Sequence, residues 1–223
     1  MKSIIKSKIK GSHLLSKIYW RYIYCPAVLQ MNLSDIALVS DEFNGYHVNE
    51  LSLDSSTFDE YLEFINVSYE EKIYTRDGLK YYLLNHKWLK DVKTYILIND
   101  NGRIVASISA GVYQKDEKWG GIFKFATDKN LRKQGLGLYM LRYGYNTLLK
   151  RGCLYGESIV SLRNTRIPSL MTHFKCGFKP QTKRNKVIYS VVSRNGGLKH
   201  WFTRRWVLKY YRLFLEKHKL NNQ

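Results

Sequence analysis

Apolar residues along the chain change their spacing repeatedly, and each change predicts an element. Residues 1–30 mix lysines with Ile4, Ile5, Ile9, Leu14, Leu15, Ile18, Tyr19, Trp20 and Tyr22 at an imperfect helical spacing. From Tyr46 to Leu53 polar and apolar residues alternate, which predicts a strand. Asp54-Ser55-Ser56 offers N-cap chemistry for a helix through about Glu71, with Phe58, Leu62 and Ile65 near one face. A second helix is predicted from Thr75 to Leu89, carrying Leu79, Tyr82, Leu83 and Trp88. Thr94 to Ile98 then reads as a strand, Asn99-Asp100-Asn101-Gly102 as a hairpin turn and Ile104 to Tyr113 as the partner strand. A turn at Lys115–Lys118 leads to a third strand, Gly121 to Thr127. A loop at 128–137 opens a helix that runs to Lys150. Cys153 to Leu162 reads as a strand, Pro168 to Cys176 as a short helix, Lys186 to Val192 as a last strand, and 197–220 as a basic, aromatic-rich helix.

This order makes a mixed α/β domain. A chain of 223 residues can bury one sizeable core, and 44% apolar with 14% aromatic content argues for a folded domain rather than disorder. The expected organisation is a basic N-terminal extension over 1–45, the α/β domain over 46–193 and a basic aromatic helix over 194–223. The three cysteines, Cys25, Cys153 and Cys176, are far apart and form no CxxC pair. Neither a zinc site nor a disulfide framework is expected, and a reducing cytoplasm fits best. No apolar run approaches the roughly 20 residues that span a bilayer.

Charge changes the picture at the two ends. The net charge is +19. Residues 1–34 carry Lys2, Lys6, Lys8, Lys10, Lys17 and Arg21 with no acid, and residues 196–223 carry seven Lys or Arg against Glu216 alone. On a C-terminal helix Trp201, Leu208, Tyr211 and Leu215 fall near one stripe flanked by Arg205, Lys209 and Arg212, with Arg204 inside it. Such a helix can lie in an anionic membrane interface, rings among the headgroups and cations against phosphates. It can equally pack on the domain with its charges solvated. No nucleic-acid-binding motif accompanies the charge, so a nucleic-acid partner is not expected.

The candidate chemistry sits in Arg132-Lys133-Gln134-Gly135-Leu136-Gly137. A glycine-containing turn that leaves a strand and opens a helix can hold phosphates, because its N–H groups and the positive helix end converge on the anion. A dinucleotide fingerprint is excluded because Met140 occupies the third glycine position. A P-loop is excluded because Gly-Lys-Ser/Thr is absent. By itself the loop supports either a phosphate-binding turn or a plain turn that starts a helix.

At these residues the sequence resembles the GNAT superfamily of acyl-CoA-dependent N-acetyltransferases, whose Arg/Gln-x-x-Gly-x-Gly/Ala signature matches Arg132 to Gly137. Val160-Ser161-Leu162-Arg163-Asn164 is similar to the family's fifth strand ending in asparagine. Phe174-Lys175-Cys176-Gly177-Phe178 is similar to its helix ending in Gly-Phe. The resemblance covers roughly 46–192. It implies a mostly antiparallel sheet flanked by helices, splayed between strands 121–127 and 153–162 to admit the acyl-CoA. It also implies that backbone groups of Phe125, Ala126 and Thr127 pair with the pantetheine, that N–H groups from Lys133 to Leu138 hold the pyrophosphate, and that Asn164 hydrogen-bonds the pantetheine arm. The implied co-substrate is acetyl-CoA or another acyl-CoA, with no metal.

The implied reaction is direct attack of a primary amine on the thioester, which needs a proton acceptor for the amine and a proton donor for the thiolate. Where the family often carries tyrosine, five residues before Phe178, this chain has His173, whose ordinary pKa near ~6.5 suits proton donation. The spacing from Asn164 to His173 is about two residues longer than the family's usual one. Glu157 is the expected general base and Asp128 a weaker alternative more readily read as a loop residue. Cys153 and Cys176 are expected to be packing residues. The acceptor is an amine that the sequence does not identify; a sugar-nucleotide or lipid-linked precursor near the inner membrane face would suit the basic ends. Acylation of a protein or peptide amine, and a non-catalytic module binding membrane or another polyanion, are the alternatives.

Overall fold

The computed structural model describes residues 26–69, 74–161, 167–180 and 198–220. In it the first amphipathic stretch becomes helix α1, Thr57–Ser68, which buries Phe58, Tyr61 and Ile65. Tyr61 takes the place expected for Leu62, one position round the helix. Helix α2, Arg76–Leu84, starts where the Thr75 hydroxyl accepts the Gly78 N–H at 3.2 Å, and buries Leu79 and Leu83. It stops at Asn85 rather than Leu89. His86 Nδ1 accepts the N–H groups of Trp88 at 3.4 Å and Leu89 at 3.2 Å, and this turn feeds the chain straight into a strand.

The strands are β1 Pro26–Asn32, β2 Glu42–Phe43, β3 Tyr46–Glu50, β4 Leu89–Ile98, β5 Ile104–Tyr113, β6 Trp119–Thr127, β7 Tyr155–Ser161 and β8 Lys179–Pro180. Strand β4 begins five residues before the expected Thr94. Between β6 and β7 lies α3, Leu136–Lys150; after β7 come α4, Ile167–Lys175, and, last, α5, Leu198–Leu220. The expected strand at 186–192 and most of the N-terminal stretch lie outside the described residues. So do Glu71, at the expected end of α1, and Asn164.

By internal contacts the chain divides into two compact units. The larger comprises Gln30–Ser158 and Thr172–Phe178. Its strands follow the order β2-β3-β4-β5-β6-β7-β1. Neighbours from β2 to β6 pair antiparallel, and β6 pairs parallel to β7 from Trp119↔Tyr155 to Ile122↔Ser158. The sheet is therefore mixed and mostly antiparallel, as the resemblance implied. The parallel pair needs a crossover, and α3 supplies it. Strand β5 is buried from Ile104 to Val112, which explains its near-continuous apolar run: both faces of a central strand are covered.

Helices α1 and α2 cover one face, where Phe58, Tyr61, Ile65, Leu79 and Leu83 pack with Leu51, Ile96, Ile104 and Ala126. Helix α3 covers the other. A Cβ added at Gly144 would lie 2.7 Å from Ile108, and one at Gly120 2.6 Å from Leu148. Residues 30–32 fall inside the span expected as an extension, yet they belong to this unit, and the Leu33 N–H is bonded to the Leu154 carbonyl at 2.9 Å.

In the smaller unit α5 packs against β8. The side of α5 bearing Val207, Tyr211, Phe214 and His218 is the more buried one, with Phe214 and His218 edge to face at 4.3 Å. Leu208 is half-buried, while Leu215 is 40% and Leu213 49% exposed. The inward face is thus rotated from the stripe expected through Leu208 and Leu215; the side chain of Trp201 lies outside the described ones. No helix among the described residues is long and apolar enough to cross a membrane. No group of His, Cys, Asp and Glu among them could hold a metal ion.

Candidate active site

The loop that opens α3 is anchored at its entry by Asp128. Its carboxylate accepts the Asn130 N–H at 2.8 Å and the Arg103 guanidinium at 2.6 Å. Both oxygens are thereby engaged, so Asp128 shapes the loop rather than serving as a base. The backbone turns left-handed at Lys133 (φ 68) and again at Gly135 (φ 86), the N-cap residue of α3. No side chain caps this helix. Its first N–H groups have no intrahelical acceptors and carry the positive end of the helix dipole. Buried Leu136 fixes the helix, while Arg132, Lys133, Gln134 and Gly135 are exposed. Gly137 and Leu138 are half-buried, and a Cβ at Gly137 would lie 3.4 Å from both Phe125 and Thr127 and 3.9 Å from Thr172. The loop therefore stands directly over the C-terminal end of β6. The uncapped N–H groups of the first turn, with Arg132 and Lys133 exposed beside them, are groups that could hold a pyrophosphate.

Strand β6 carries a bulge here. Ser107 pairs with Ala126 but Ser109 with Phe123, so one extra residue is accommodated, and Lys124 takes φ 49. A bulge bends a strand and re-aims its side chains. Phe125 and Thr127 consequently point toward the loop and α4, whereas Ala126 joins the core beneath α1. The Lys124 ammonium sits over the rings of Tyr74 at 3.7 Å, Tyr82 at 4.9 Å and Tyr69 at 5.0 Å. Tyr69 also donates to the Phe125 carbonyl at 2.9 Å, tying the end of α1 to the bulge.

Glu157 and Ser158 are successive residues of β7 and so face opposite sides of the sheet. A Cβ at Gly156 would meet Tyr145 of α3, which sets Gly156 and Ser158 on the α3 side and Glu157 on the other. Ser158 Oγ and His173 Nε2 share a hydrogen bond of 2.7 Å. The His173 ring stands edge-on to Phe125 at 5.9 Å and to Phe178 at 5.4 Å. Glu157 is 1% exposed. Its carboxylate accepts from the Tyr113 hydroxyl at 2.7 Å and the Gln30 amide at 3.3 Å. Burial pushes its pKa up to about 7, and these two hydrogen bonds act against that rise. Burial likewise pushes the Cys176 thiol up to about 12, which suits a packed, unreactive side chain.

The expected residues thus gather around the C-terminal half of β6: the loop at 132–138, Phe125 to Thr127, and His173 beside Phe125. Glu157 stands on the opposite sheet face from His173 rather than beside it. Sequence reasoning missed Tyr113 and Gln30, which are 44 and 127 positions from Glu157, and Lys124 with its tyrosines. The bulge that aims Lys124 leaves no trace in local periodicity.

The parallel pair β6–β7 is thus joined by a helix, α3, that starts uncapped behind a glycine turn. The acetyltransferase (GNAT) family profile matches residues 58–178, more than half of the chain, and the chain belongs to that family. No curated protein matches the sequence. Similar solved structures include a GCN5-related N-acetyltransferase from Sphaerobacter thermophilus, with TM-score 0.56 and 14% identity over 76% of this chain and 54% of that one. An aminoglycoside acetyltransferase from an uncultured soil metagenomic sample gives 0.50 and 15% over 63% and 96%. The glucosamine N-acetyltransferase region of a fungal multi-domain β-N-acetylglucosaminidase gives 0.52 and 14% over 78% and 22%. These likenesses establish the fold, and the chain spans about half the length of the Sphaerobacter protein.

Proposed function

We propose that this chain is an N-acetyltransferase that moves the acetyl group of acetyl-CoA, or a longer acyl group, to a primary amine of a small molecule. The observation that carries the reading is the uncapped, glycine-turned start of α3 over the end of β6, with the buried Glu157 carboxylate on one face of the neighbouring strand and His173, bonded to Ser158, on the other. The α3 N-terminus with Arg132 and Lys133 would hold the pyrophosphate, and the β6 edge at Phe125 to Thr127 would align the thioester arm. The amine nitrogen attacks the thioester carbon, a C–N bond forms and the C–S bond breaks. The amine proton passes to Glu157, whose pKa near 7 lets it be ionised at neutral pH yet basic enough to accept. The thiolate takes a proton from the donor side, where His173 stands.

Calorimetry with acetyl-CoA on the folded chain tests the reading at its base: absence of binding in the micromolar range sinks it. Release of free thiol across a panel of amines, amino sugars among them, then identifies the acceptor. His173→Phe is expected to lower turnover by about 10²-fold with acetyl-CoA affinity retained; unchanged turnover removes His173 from the mechanism.

The acceptor is best sought near the inner face of a membrane, in the cytoplasm. Helix α5 exposes Leu213 and Leu215 among Lys209, Arg212 and Lys217, a mixture suited to an anionic lipid interface. Vesicles containing anionic lipid should pellet the full chain and lose it when residues 196–223 are deleted. Equal pelleting of the two would exclude α5 as the contact.

A further inference from the structure

Tyr113 closes β5, and Glu157 lies on β7 with β6 between them. The phenol reaches across because the intervening residue is Gly121, paired with Glu157: a Cβ there would lie 3.3 Å from the Tyr113 ring and 3.4 Å from its hydroxyl. From the other side β1 delivers Gln30, whose amide meets Oε2 at 3.3 Å while Tyr113 holds Oε1 at 2.7 Å. The carboxylate is therefore gripped at both oxygens by neutral donors from the two flanking directions. Building this grip takes a glycine in β6 and a strand from a segment that precedes the family's matched region.

We propose that Tyr113 and Gln30 are positioning residues that fix the Glu157 carboxylate and set the pH at which it accepts the amine proton, making the N-terminal strand part of the catalytic unit. This rests on Glu157 as the base. Donors to a carboxylate stabilise its ionised form, so they counter the burial that favours the protonated one. The ionisable groups facing Glu157 are two phenols. Tyr113 stays protonated because burial foremost, and then the Glu157 charge, push its pKa far up. Tyr145, reaching from α3, donates to the Glu157 backbone carbonyl instead, and its own pKa is raised by burial. Gly121 contributes no side chain from β6, and among the described residues no cation pairs with the carboxylate. Against the rise that burial imposes, Gln30 and Tyr113 are the groups through which the protein adjusts this proton affinity.

The test uses the full chain with Tyr113→Phe and, separately, Gln30→Leu. Hydrogen bonds to charged groups are strong enough that each loss should raise the midpoint of the acid limb of kcat/KM by about one pH unit or more. Rates should approach those of the unchanged protein at alkaline pH, where the carboxylate is ionised regardless. A uniform loss at every pH with the midpoint unmoved overturns the proposal, because a merely structural role does that. Infrared titration of the protonated-carboxyl C=O stretch, assigned by its disappearance in Glu157→Gln, reads the same midpoint without turnover. If that midpoint rises in both variants while the activity profile shows no Glu157 limb, the positioning stands and the base assignment fails. If it stays put in both, the positioning fails whatever the activity does.

Discussion

Replacing Glu157 with glutamine is expected to reduce turnover by about 10²–10⁴-fold and leave acetyl-CoA affinity unchanged. The first effect follows from removing the group placed to take the amine proton. The second follows from geometry, since Glu157 faces away from the loop that would hold the pyrophosphate. The same variant should gain stability in a pH-dependent way. The folded protein keeps the Glu157 proton up to about pH 7, whereas the ordinary carboxyl gives it up near 4.5. Between these values the folded state binds more protons than the unfolded one, so this group's contribution to stability falls as pH rises. Above 7 the buried charge costs about 3 kcal/mol relative to an unshifted carboxyl. Glutamine removes that cost, so Glu157→Gln should be more stable than the native chain at pH 8 and nearly equal to it at pH 5. Denaturant unfolding at both values checks this; an equal difference at the two would mean that Glu157 is not a buried, proton-retaining group.

The second large effect separates two glycines that are alike on paper. At Gly135 the backbone is left-handed, a conformation that costs an L-residue about 1–2 kcal/mol, and an added Cβ would stand 3.3 Å from the Phe43 ring. Gly135→Ala should therefore lower stability by roughly that amount and distort the N–H groups of the loop, weakening acetyl-CoA binding about tenfold or more. Gly137 lies within the first turn of α3, and its added Cβ would make only ordinary contacts at 3.4 Å. Gly137→Ala should stabilise the helix by about 0.5–1 kcal/mol and keep binding. Calorimetry and thermal unfolding of the two variants side by side decide the matter. Equal losses in both would mean that the loop tolerates no methyl group anywhere, and equal retention would mean that the left-handed turn at Gly135 is not what shapes the site.

Much of the larger unit was legible in the sequence because the signals are local. The phases of α1 and α2, the Asn99–Gly102 hairpin, the meander β4-β5-β6 and the glycine turn each depend on residues within a few positions of one another. The misreadings have equally specific causes. Trp88 fits a helical stripe with Leu79 and Tyr82, but the helix ends at Leu84 and the His86 ring accepts the N–H groups of Trp88 and Leu89, turning the chain into β4. Leu62 fits the buried face of α1 as well as Tyr61 does, and only the neighbours on the sheet choose between them. The imperfect helical spacing over residues 1–30 conceals the start of a strand at Pro26, because its pairing partner is more than a hundred residues away.

The sequence by itself determined the order of elements from β3 to α4 and the glycine turn that opens α3, since helix phase, glycine turns and helix starts are short-range properties. It also supplied Glu157 and His173 as candidate titratable groups. Only the tertiary structure decided that Glu157 and His173 look to opposite faces of β7. It alone decided that Asp128 is spent on the loop and that Tyr113 and Gln30 hold the carboxylate. Those outcomes depend on strand order and register, which are fixed by the pairing of distant segments and carry no signature in any one of them.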